Sequence, residues 1–141
     1  MTKNYSGTDA PPGLLIRGVT AGICCPFLVS AVMKLSHPAE AASEMAALGM
    51  AQPLVMAMGV ASFQLLGTVL AVAGRGRWAV LGACALAGFT VAATLLVHAF
   101  WNFDGPARVA QTNTFVEHVS IFSALLLVAW LHGRGQTVRW L

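Results

Sequence analysis

From residue 18 to residue 33 the chain carries no charged side chain, and this stretch is bounded by two cations, Arg17 and Lys34. As a helix rising about 1.5 Å per residue, it holds the two cations about 26 Å apart. That is close to the thickness of a bilayer's hydrocarbon core, so each side chain reaches its own headgroup layer. Further apolar stretches follow, and the charged residues frame them rather than interrupt them. The spans are expected at residues 14–35, 53–73, 78–100 and 114–132, each near the roughly 20 residues that a crossing requires. The 141 residues are 57% hydrophobic and 9% charged, with a mean hydropathy of +0.74. A soluble domain carries about 25% charged residues, so this chain cannot build a water-facing surface. Disorder, a disulfide scaffold and a coiled coil are excluded by the same composition. The fold class expected is all-α: a polytopic membrane protein whose single domain is an antiparallel four-helix transmembrane bundle.

Punctuation supports these boundaries. Pro53 occupies a permitted first-turn position, Gly74-Arg75-Gly76-Arg77 closes the second span, and Gly133 reads as a C-terminal stop. Residues 38–48 form a short helix at the outer surface, with Ala41, Met45 and Leu48 on one face and Glu40 and Glu44 on the other. Asn102-Phe103-Asp104-Gly105-Pro106 is a turn. Lys3 followed by an apolar run is superficially similar to a signal peptide, but Asp9, Pro11-Pro12 and the length of the run predict a retained span.

Orientation follows from the cations. Lys3, Arg17, Arg75, Arg77, Arg134 and Arg139 lie on the side that holds both termini, against Lys34 and Arg108 on the other. This predicts both tails, 1–13 and 133–141, in the cytoplasm of a bacterial-type inner membrane. Glu40, Glu44, Asp104 and Glu117 then lie outside and Asp9 inside. The basic pI of about 9.1 is a topology signal rather than a sign of nucleic-acid binding.

Lipid tails and leucine are equally apolar, so small and polar residues mark the faces where helices meet. Arg17, Thr20, Cys24, Ala31 and Lys34 form such a stripe on the first span. Ala57, Ala61, Gln64 and Thr68 form the second, and Ala83, Ala87, Thr90, Thr94, His98 and Trp101 the third. On the fourth span the stripe is assigned to Asn113, Glu117, Ser120 or Ile121, and Ala124. Gly18-x-x-x-Gly22 permits close approach on the first helix. The polar members converge at the outer end, where Lys34, His98, Trp101, Arg108, Glu117 and His118 are candidates for a substrate pocket with an acid, a base, cations and an aromatic wall. Gln64, Thr90 and Thr94 are the interior polar residues.

Each of these residues also has a plain structural reading. His98 is either an interfacial histidine bonded to a carbonyl or water, or a ligand or proton relay. Phe100, Trp101 and Phe103 are either a headgroup-level aromatic belt or a wall of that pocket. Lys34 and Glu117 are either an ion pair tying the first helix to the fourth or part of a substrate site. Gln64 is explained by a cross-helix hydrogen bond alone. His37, His98, His118 and His132 lack the spacing of metal ligands, and Cys24, Cys25 and Cys84 form no CxxC, so no metal site is expected. No phosphate loop, dinucleotide fingerprint or nucleophile elbow is present.

Ser30-Ala31-Val32-Met33-Lys34-Leu35 with His37-Pro38, then Leu48-Gly49-Met50-Ala51-Gln52-Pro53, His98-Ala99-Phe100-Trp101, and Phe115-Val116-Glu117-His118 resemble the successive landmarks of the DoxX-like membrane proteins. The resemblance runs from residue 14 to residue 130. Ala31 departs from the family's usual glycine, and Gln64 from a glutamate that many members carry. The resemblance implies a four-helix subunit of a redox or respiratory assembly, with quinone as the associated carrier and a membrane-bound or periplasmic oxidoreductase as partner. Two functions therefore stand against each other. One is an accessory subunit contributing a quinone-proximal pocket at the outer face, not catalytic alone. The other is a standalone small-molecule or lipid carrier, as monomer or homo-oligomer, that uses Gln64, Thr90 and Thr94 as its path.

Overall fold

The computed structural model describes residues 12–137. Lys3 and Asp9 in the N-terminal tail, and Arg139 in the C-terminal one, lie outside the described residues. Five α-helices account for most of the chain: α1 (Pro12–Ser36), α2 (Pro38–Ala47), α3 (Pro53–Ala73), α4 (Arg77–Val97) and α5 (Gly105–Thr137), with a single 3-10 turn at Phe100–Asn102 before α5. All except α2 are long and apolar enough to cross a membrane. The protein is an all-α, multi-pass membrane bundle in contact with lipid.

The breaks have local causes. Pro38 disfavours helical geometry at His37, which adopts φ −126° and ψ 64°, so α2 starts afresh with the proline in its first turn. At the far end of α2, Gly49 takes φ +72°. Its N–H donates to the Ala46 carbonyl at 2.9 Å while that of Met50 reaches back to Met45 at 3.1 Å, the paired closure that a left-handed glycine permits. α5 extends beyond the expected span at both ends. It begins at Gly105 rather than near Thr114, and it passes through Gly133. An interior glycine costs a helix only about 1 kcal/mol, and the Arg134 guanidinium lies 4.2 Å from the centre of the Trp130 ring one turn earlier.

α1 packs on α3, α3 on α4, and α4 on α5, while α2 lies mainly against α3. Closest approach is between α3 and α4. A Cβ on Gly82 would stand 2.4 Å from the Ala71 nitrogen and 2.8 Å from the Gly67 carbonyl oxygen, and one on Gly67 would meet the Leu86 side chain at 2.7 Å. Gly18 and Gly22, expected to permit close approach on α1, are exposed with nothing near them, so this glycine pair does not bring helices together within the chain.

The ring of helices closes tightly at only one end. Cys24 and Phe27 of α1, Ala83, Leu86 and Ala87 of α4, and Leu125, Val128 and Ala129 of α5 form the buried apolar core with Ala71 of α3. This core occupies the half of the bundle nearer the α3–α4 connection. The stripes on α1, α3 and α4 face inward as expected, with Thr20, Cys24, Ala31, Ala57, Ala61, Gln64, Ala83, Ala87, Thr90 and Thr94 all buried. The stripe on α5 does so only in part: Asn113, Glu117 and Ser120 are exposed, Ile121 and Ala124 are half-buried as expected, and His118, Leu125 and Val128 turn inward with them. A one-residue error on a helix is a rotation of about 100°, and an apolar helix between lipid and protein carries little to betray it.

Candidate functional site

Toward the α2 end the helices part, leaving a cavity of about 650 Å³ bordered by all five. Its walls are mainly apolar, from Phe27, Met45, Val60, Phe89, Leu96 and Ile121 among others. Polar groups enter at two levels. Lys34, Glu44, His98 and His118 border it near the α2 end, and Gln64 and Thr90 border it deeper. The contacts of Gly67 with Leu86 and of Gly82 with Ala71 set the α3–α4 register, and they bring Gln64 level with Thr90.

The histidines are held by α4 and α5 together. The rings of His98 and His118 meet edge to face with centroids 4.8 Å apart. His118 Nδ1 lies 2.9 Å from Thr94 Oγ1, and His98 Nδ1 donates to the Gln111 amide oxygen at 2.8 Å. Thr94 and Thr90 bond back along α4, to the Thr90 carbonyl at 2.6 Å and the Leu86 carbonyl at 2.8 Å. Side chains of this type satisfy their hydroxyls on the preceding turn. Gln64 differs. It is 5% exposed, and its amide oxygen has no hydrogen-bond partner.

Of the candidate residues, the structure gathers Lys34, His98, His118, Gln64 and Thr90 around one space, with Thr94 behind His118. It leaves out the others. Trp101 is 52% exposed and packs edge to face with Phe100 and Phe115, centroids 5.2 and 6.1 Å away. Arg108 and Glu117 are exposed. The expected tie between Lys34 and Glu117 is replaced by an ion pair from Lys34 to Glu44 of α2 at 3.6 Å and a bond to Ser30 at 3.3 Å. Gln111, in the first two turns of α5, was not among the candidates; it lies seven residues before His118 on the same face. Among the described residues no group of three or more His, Cys, Asp or Glu side chains comes together to hold a metal ion.

Four long apolar helices and an inward-facing cavity define a small multi-pass membrane protein. The chain belongs to the DoxX family, whose model matches residues 14–99, from α1 through the end of α4. The part that supplies Gln111 and His118 lies beyond that match. Comparison with curated proteins and with solved structures finds no match.

Proposed function

We propose that this protein is a membrane subunit of a redox or respiratory assembly that seats a quinone-type carrier in the cavity between its helices. One observation carries the reading: an apolar-walled space of about 650 Å³, well within the range of sites for small organic ligands, has imidazole rings at one level and an unpartnered amide oxygen at another. A carrier of this class has an apolar body that the walls accept and head-group oxygens that His98, His118 and Gln64 would hold. When bound, the quinone supplies the two-electron chemistry. The chain contributes orientation, exclusion of water and hydrogen-bond partners, so it acts with an oxidoreductase partner rather than alone. The outer membrane face is assigned to the α2 end by the distribution of cations.

The carrier reading asks for a path across the bundle. The packed core of Leu86, Leu125, Phe27 and Cys24 stands between the cavity and the opposite end, which favours a one-ended binding site. The test is extraction of native membranes in mild detergent, tag purification, and mass spectrometry of retained proteins and lipids. A dehydrogenase or oxidase subunit recovered in stoichiometric amount with bound quinone is expected. The chain recovered with neither would overturn the proposal.

A further inference from the structure

We infer that the cavity takes its occupant in a hydrogen-bond-donating form: a hydroxyl-bearing aromatic head of the phenol or hydroquinone class, in preference to one that carries only carbonyl or ether oxygens. The inference rests on the reading of the cavity as the seat of an amphipathic carrier and specifies its chemical state.

The argument is an accounting of protons. Thr94 has a single hydroxyl hydrogen and stands 2.6 Å from the Thr90 carbonyl oxygen, a separation that two oxygens hold only with a hydrogen between them. That hydrogen is therefore committed to Thr90. The 2.9 Å contact between Thr94 Oγ1 and His118 Nδ1 must then be made with the ring as donor. A neutral imidazole that carries its proton on Nδ1 has a bare lone pair on Nε2. His98 is arranged alike, its Nδ1 donating to the Gln111 amide oxygen. Neither Nε2 has a hydrogen-bond partner among the described residues, and both rings border the cavity. The histidine end therefore presents acceptors, and a head group without a donor would leave them unpaired in an apolar space, which is the costly outcome. The second level fits the same head. Thr94 follows Thr90 by one helical turn, about 5.4 Å, and Gln64 is level with Thr90. The Gln64 amide oxygen, which has no hydrogen-bond partner, is a further acceptor for a hydroxyl on the same head. Thr94 is thus a positioning residue, acting through the His118 ring.

The experiment uses the full chain in phospholipid nanodiscs, with a decyl-substituted para-hydroquinone, its dimethyl ether and the corresponding quinone as probes. The hydroquinone is expected to bind about tenfold more tightly than either of the others, the worth of one hydrogen bond made rather than lost. Thr94→Val frees the His118 ring to turn its proton toward the cavity and should bring the ratio close to unity, while Thr94→Ser should restore it. Because the readout is a ratio within one variant, partial loss of folded protein does not move it. Nitrogen NMR of His118 should show the proton on Nδ1. Equal binding of hydroquinone and quinone, or a proton found on Nε2, would overturn the inference and leave the cavity's assignment standing. Failure of all three probes to bind would overturn both.

Discussion

Replacing Gln64 by methionine should make the empty protein more stable and the working protein useless. Gln64 is 5% exposed in the middle of α3, and its amide oxygen has no hydrogen-bond partner. A buried polar group left unpaired costs about 1–3 kcal/mol. Methionine matches glutamine in length, is unbranched and has no polar oxygen or amide to bury, so neither a void nor a clash opposes the exchange. The unfolding equilibrium should shift toward the folded state by about five- to 150-fold, at 1.4 kcal/mol per tenfold. Reversible unfolding in mixed micelles, followed by tryptophan fluorescence, measures this directly. Binding of a hydroquinone by the purified variant should fall in parallel, because the acceptor that was costly when empty is the one a donating head group would satisfy. A Gln64→Met variant less stable than the parent would refute the reasoning, for it would mean that the amide is already bonded across the helices.

Gly82→Ala should destabilise the bundle by about 1–3 kcal/mol, since the new Cβ would meet the backbone of Ala71 and Gly67 rather than movable side chains. Gly88→Ala on the same helix has open space and should leave stability nearly unchanged; equal effects in chemical unfolding would show that α3 and α4 are not packed as described. For topology, a single cysteine placed at exposed Ser43 of α2, in a background with Cys24, Cys25 and Cys84 replaced, should react with an impermeant maleimide added to intact cells. One at Arg75 should react only after the membrane is opened, and the reverse pattern would invert the assignment of both termini.

The spans were legible because crossing a bilayer constrains a single segment, without reference to its neighbours. Residues 18–33 announce themselves as a span whatever surrounds them. The inward faces of α1, α3 and α4 were legible too, because Thr20, Cys24, Ala57, Ala61, Gln64, Ala83, Thr90 and Thr94 are small or polar among large apolar residues. α5 offered a false choice between adjacent Glu117 and His118, and the more strongly charged residue was taken to point inward. The structure turns Glu117 out toward the polar end and brings His118 against Thr94, since an unpaired buried carboxylate is costlier than a hydrogen-bonded imidazole. Trp101 was read as continuing the stripe of the third span, but α4 ends at Val97 and the 3-10 turn that follows carries Trp101 outward.

The sequence by itself determined an all-α chain built of spans, the short α2 between the first two of them, and most of the residues that would meet inside. Each of these follows from local chemistry: the run of apolar side chains that hydrocarbon accepts, the proline and glycine that break it, and the periodicity of a helix. Only the tertiary structure decided that Gly67 and Gly82 are the point of closest contact, that Lys34 pairs with Glu44, and that the bundle is sealed at one end and open at the other. Lipid tails and leucine side chains are equally apolar, so hydrophobicity cannot choose which face of a spanning helix meets protein. That choice is made by the fit of surfaces distant in sequence. The same fit sets His98 and His118 edge to face above the level of Gln64, and no single helix contains that arrangement.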